Sequence, residues 1–130
     1  MALVPLIDDE AAAPDVRAVY ADIRATRQSD FINNFWRALA NDPAELKRTW
    51  ERTREVMAPG ALDPVAKELV YLAVSITNGC EYCICSHRAA AIAKGMSEAM
   101  FMELVAVVAL ANANNRLATA LQVDVDERFR

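Results

Sequence analysis

Three cysteines and the only histidine of the chain fall within eight residues, Cys80-Glu81-Tyr82-Cys83-Ile84-Cys85-Ser86-His87. On a helix turning about 100° per residue, Cys80, Cys83 and His87 lie within roughly 60° of one another, whereas Cys85 falls roughly 140° to 200° away. Two thiols three residues apart can close to a disulfide and reopen, and a base one turn beyond the second can take its proton. A helix starting at the first cysteine would also present unpaired N–H groups and the positive end of its macrodipole, which favour a thiolate. The competing reading of the same residues is a metal site, with Cys80, Cys83, Cys85 and His87 as four nominal ligands. Against it, Cys85 points away, and structural zinc usually draws its ligands from two separated segments. Cys85 itself reads as a small buried hydrophobe.

Glu68 is the next informative residue. It sits among Pro64, Val65, Tyr71 and Leu72, and no charged residue follows it until Glu81. Burial of such a carboxyl raises its pKa unless it is paired, which suits proton transfer, and His87 is the obvious partner. A lone Glu on an apolar helix also reads as a structural hydrogen-bonder or an interface residue. Tyr82 reads as packing or as a wall of the site, and Met96, Met100 and Met102 as core filler.

These residues need elements to hold them. Val16, Val19, Tyr20 and Ile23 recur at helical spacing, so Pro14 to Gln28 is expected to form an amphipathic helix with Pro14 in its first turn. Asp30 is placed to cap a second helix through Phe31, Phe35, Trp36 and Leu39, and Asn41-Asp42-Pro43 breaks it and starts a third, Pro43 to Met57. The third is densely charged, and its charges read as a solvated face with i,i+4 pairs. Asp63 and Pro64 start a fourth helix running to Thr77, closed by Asn78-Gly79, residue types suited to a left-handed cap. The turn leads into a fifth helix, from Cys80 to Lys94, stopped by Gly95. Ser97 caps a sixth, Glu98 to about Asn112, and Leu117 to Val123 suggests a short last one before the acidic tail 124–130. No strand-like alternation or internal repeat is evident. The expected class is all-α, six to seven helices in a single domain over 1–130.

Composition narrows the function classes. Of 130 residues, 55% are hydrophobic and only three are Gly and five Pro, so there is ample core and little material for disorder. The net charge of −4, with no basic cluster, argues against nucleic acid and anionic membranes and for a small substrate or soluble partner. The apolar stretches 69–79 and 99–113 fall short of the roughly 20 residues that span a bilayer. The N-terminal segment lacks the features of a signal peptide, so a cytoplasmic location is expected. An odd cysteine count confined to one short segment makes a poor disulfide framework and reads as redox chemistry or metal in a reducing compartment. So much apolar surface on so small a chain also suggests self-association.

Glu68, eleven intervening residues, Cys80-x-x-Cys83 and then His87 form a pattern that resembles the alkylhydroperoxidase AhpD-like family within the carboxymuconolactone decarboxylase superfamily. The resemblance extends from about Phe31 to Leu121 and includes KELVYLAVSITNGCEYCICSH. It implies an all-helical, homo-oligomeric peroxidase that reduces organic hydroperoxides through a dithiol. By position, Cys83 would be the peroxidatic thiolate, Cys80 the resolving thiol, and Glu68 and His87 the proton relay. A lipoyl or thioredoxin-like dithiol would return the pair to the reduced state, with no flavin, haem or metal cofactor. The best-known members carry a histidine where this chain has Tyr82, and two related helical units per chain where this one has a single motif. A dimer, trimer or hexamer is therefore implied. Two alternatives remain: a redox-sensing or scaffold oligomer with little turnover, and, more weakly, a lactone decarboxylase, whose known members lack the cysteine pair.

Overall fold

A computed structural model describes all 130 residues as six α-helices and one terminal 3-10 turn, with no β-strand. The chain is therefore all-α. It divides into two compact units, residues 1–58 and 59–130.

The first unit holds α1 (Pro14–Arg27), α2 (Asn34–Leu39) and α3 (Pro43–Met57). Val16, Val19, Tyr20 and Ile23 on α1 bury the stripe their spacing predicts, against Trp36 of α2 and Leu46 and Trp50 of α3. The two tryptophans meet edge to face, ring centroids 5.5 Å apart. Trp50 donates its indole N–H to Asp22 at 2.6 Å, so its one polar group is not left unpaired. Arg24 grips Asp9 with two bonds of 2.7 Å, and the Tyr20 hydroxyl donates to the Ile7 carbonyl, which tie the N-terminal segment to α1.

Helix α2 starts three residues later than expected, with Asn33 and not Asp30 at its N-cap. The Asp30 carbonyl accepts from Arg24, and Ile32 enters the core from the connecting segment, so this stretch serves tertiary packing instead of a first helical turn. On α3 the charges form exposed pairs, Lys47–Glu51, Arg48–Glu45 and Arg52–Glu55, of which only the first is i,i+4.

The second unit holds α4 (Pro64–Asn78), α5 (Glu81–Ala93) and α6 (Glu98–Ala120). Asp63 caps α4 by accepting from the Ala66 N–H, and Ser97 caps α6 by accepting from the Met100 N–H. The core is small: Leu72, Ala91 and Met96, with Leu69, Phe101 and Leu104 packed beside them. Met96 is core as expected, but Met102 is 58% exposed, and the Met100 sulfur accepts the Ser97 N–H in a capping box. Helix α6 is continuous to Ala120, where a break near Asn112 was expected. The Asn112 side chain donates to the Val108 carbonyl one turn back and to the Thr77 hydroxyl on α4, and no Gly or Pro interrupts the run. Val107, Leu110 and Leu117 are exposed along it, and Leu121 at its C-cap. No helix is long and apolar enough to cross a membrane.

Candidate active site

Two helix ends bring the cysteines into place. Gly79 adopts φ +69°, and the amides that follow α4 fold back on it: Gly79 donates to the Ile76 carbonyl and Cys80 to that of Ser75. This is a Schellman motif, and it delivers Cys80 to the start of α5. Cys80 is the N-cap residue, with φ −84° and ψ 89°, so the 100° helical phase does not apply to it. Its place beside Cys83 comes from capping geometry, since its sulfur accepts the Cys83 N–H at 3.3 Å. The two residues are joined as a disulfide, Cα atoms 5.3 Å apart and both partly buried. Cys83 lies in the first turn of α5, where free N–H groups and the macrodipole stabilise a thiolate once the bond is reduced.

Cys85, expected to be a buried small hydrophobe, is exposed and free. It falls on a part of α5 that the core of this unit does not cover. Tyr82, between the paired cysteines, is also exposed. No three His, Cys, Asp or Glu side chains converge as a metal site would require.

One turn beyond Cys83, His87 meets Glu68. On α4 the buried residues are Glu68, Leu72 and Ser75, a single stripe at i, i+4 and i+7, so the carboxylate is held on the packed face and is only 3% exposed. Its Oε2 lies 2.7 Å from His87 Nδ1, and its Oε1 accepts from Lys94 Nζ at 2.6 Å. The His87 and Lys94 side chains are 21% and 34% exposed, so the site opens toward solvent on their side. Burial pushes the Glu68 carboxyl up, but the hydrogen bonds from His87 and Lys94, reinforced by their charges, more than reverse this and hold it below the usual range. An ionised carboxylate can only accept, so Nδ1 of His87 carries the proton of this bond. In the neutral ring the free lone pair is then on Nε2. Tyr71, three residues after Glu68, stacks on the imidazole with ring centroids 3.5 Å apart.

Glu68 on α4, Cys80 at the N-cap of α5, and Cys83 and His87 on α5 thus all belong to one unit. Lys94 and Tyr71 are additions that the sequence reading did not single out. Both were within reach of helical phase: Tyr71 is i+3 from Glu68, and Lys94 is two turns from His87 on the same face. Lys94 is also fixed by a local stop signal. It is the residue before Gly95 (φ +110°), where Gly95 donates to the Ile92 carbonyl and Met96 to that of Ala91, a second Schellman motif.

A sequence profile of the carboxymuconolactone decarboxylase family matches residues 44–126. The crystal structure of an alkylhydroperoxidase AhpD core from Rhodospirillum rubrum is similar with a TM-score of 0.96 and 57% identity, over 99% of this chain and 97% of that one. An alkyl hydroperoxide reductase AhpD from Solibacter usitatus is 38% identical over 72 residues, 55% of this chain and 39% of that protein. An (R)-2-haloacid dehalogenase from Pseudomonas putida is 27% identical over 105 residues, 81% of this chain and 35% of that protein. The chain therefore spans little more than a third of the length of these two relatives.

Proposed function

Because this chain belongs to the carboxymuconolactone decarboxylase family, we propose that its Cys80–Cys83 pair works as a dithiol peroxidase on organic hydroperoxides. The observation that carries the reading is the disulfide at the N-terminus of α5 with the His87–Glu68 pair one turn further on. Similarity to alkylhydroperoxidase AhpD proteins supports it.

The cycle starts from the reduced pair. His87 takes the Cys83 proton, and the thiolate attacks the peroxide O–O bond, forming the S–O bond of a sulfenic acid and expelling an alkoxide. The alkoxide takes up the proton from His87 and leaves as the alcohol. Cys80 then attacks the Cys83 sulfur, forming the disulfide and releasing water. A lipoyl or thioredoxin-like dithiol restores the pair by exchange and leaves as its own disulfide. Two electrons pass from that dithiol to the peroxide, and the cycle calls for no flavin, haem or metal cofactor. Glu68 orients the imidazole through its bond to Nδ1.

The reading takes residues 1–130 as one functional domain, located in the cytoplasm and acting as a homo-oligomer. Support for assembly comes from the exposed apolar side chains of α6 and from the groove between α4 and α6 lined by Ala73, Val107 and Ala111.

The test is consumption of an organic hydroperoxide by the reduced protein with a dithiol reductant. Turnover is expected in the parent and not in Cys83→Ser, and Cys80→Ser is expected to stop after one peroxide per site. Equal rates in all three proteins would sink the proposal. Negligible turnover together with an oligomeric state that follows the redox state would favour a sensing or scaffold role instead.

A further inference from the structure

We propose that Lys94 is a positioning residue of this site, one that fixes Glu68 as an ionised, acceptor-only partner of His87 and so confines it to orienting the imidazole. Glu68 is almost completely buried, and each of its oxygens meets one donor: Oε2 faces His87 Nδ1 at 2.7 Å and Oε1 accepts from Lys94 Nζ at 2.6 Å. A buried carboxylate needs a compensating cation or it gives up its charge. If His87 were the sole partner, the ring would have to supply that cation, and a proton could sit on either member of the pair. With Lys94 present, carboxylate and ammonium sum to zero while the ring is neutral. The imidazole is then free to take a proton from a thiol and to return it.

The groups facing Glu68 leave the Lys94 ammonium as its ion-pair partner while the ring is neutral. From α5 they are His87 and Lys94, and the two are also the charged groups that bias its ionisation. On α6, the other helix packed against α4, Glu98 is engaged by Arg88 and Glu103 is exposed. The position of Lys94 follows from backbone geometry as well as from charge. The Schellman turn at Gly95 fixes it as the C-cap of α5, two turns beyond His87, so both side chains reach the same carboxylate from one helix face.

The assignment of charge stands whatever the protein turns over; only its use in the thiol cycle rests on the peroxidase reading. The test is accordingly spectroscopic and is made on the 130-residue, disulfide-bonded protein. The infrared C=O stretch of a protonated carboxyl is followed against pH, and the Glu68 contribution is assigned by its loss in Glu68→Gln. In Lys94→Met the Glu68 band is expected to appear at a pH at least about one unit higher than in the parent, the scale on which a neighbouring charge moves a carboxyl. Lys94→Gln, which keeps a donor and removes the charge, is expected to move the same way and is the variant to read if Lys94→Met does not fold. Lys94→Arg, which keeps the charge, is expected to hold the parental position. A Glu68 band unmoved in the neutral variants, or one that shifts as far in Lys94→Arg as in Lys94→Met, overturns the proposal. A shifted band in a protein without peroxide turnover would retain this inference while removing the peroxidase reading.

Discussion

Tyr71 lies flat on the imidazole of His87, ring centroids 3.5 Å apart and planes inclined by 19°. The contact joins α4 to α5 and acts with the Glu68 hydrogen bond, which holds the ring in its own plane while Tyr71 holds it from one side. Stacked aromatic pairs contribute about 0.5–1.5 kcal/mol beyond their area. Tyr71→Ala is therefore expected to slow His87-dependent peroxide turnover about 2- to 10-fold. Tyr71→Phe, which keeps the ring, should retain the parental rate. A loss of the same size in both variants would show that the hydroxyl matters and the stacking does not.

Glu68 makes an acid-dependent contribution to stability. Its folded-state pKa lies below the ordinary carboxyl value because the bonds from His87 and Lys94 outweigh burial. The stabilisation is thus fully present above the unfolded-state value of about 4.3 and is lost as pH falls through the lower folded-state value. Urea denaturation of the oxidised protein should show Glu68→Gln less stable by about 1.5–3 kcal/mol at neutral pH, the size expected for hydrogen bonds to charged groups. The difference should shrink as the acid limb is descended. A constant difference down to that limb would mean that Glu68 is held by packing and not by its charge.

Helix boundaries set by local chemistry were legible in the sequence. Asp63 and Ser97 accept the first-turn N–H groups of α4 and α6, and Gly79 and Gly95 take the left-handed conformations that end α4 and α5. Where tertiary packing competes with local preference, the sequence misled: Ile32 is drawn into the core ahead of α2, and Asn112 pairs with Thr77 where it was expected to end a helix. The Glu68–His87 contact followed from each being the only obvious partner of the other. Lys94 was harder, because a lysine at the end of a helix reads as an ordinary complement to the dipole. Its bond to a carboxylate 26 residues earlier depends on how α4 packs on α5. Cys85 shows the limit of composition: its small apolar character suggested burial, but it lies on a part of α5 that its own unit leaves open.

The turn that delivers Cys80 can be weakened without touching a side chain of the site. A Cβ built on Gly79 meets nothing within 4 Å, so Gly79→Ala costs only the strain of φ +69°. For an L-residue that is about 1–2 kcal/mol. Chemical denaturation should show the loss as a lower midpoint with an unchanged slope. Gly79→Asn should lose less, since asparagine tolerates the left-handed region. An alanine variant as stable as the parent would mean that the turn relaxes away from this conformation.

The reduced protein carries its own internal control for thiol activation. Cys83 sits in the first turn of α5, one turn before His87, whereas Cys85 is exposed further along the same helix. Exposure alone would make Cys85 the faster thiol toward iodoacetamide. Helix N–H groups and a neighbouring base would reverse that order by enlarging the thiolate fraction of Cys83. With a free thiol near 8.5, each unit of depression raises the thiolate fraction at neutral pH about tenfold. Mass-resolved alkylation at pH 7 should therefore show Cys83 modified at least about tenfold faster than Cys85, and His87→Ala should narrow the gap. If Cys85 reacts first, Cys83 is not activated in the reduced state, and the disulfide would be a structural clip at the start of α5.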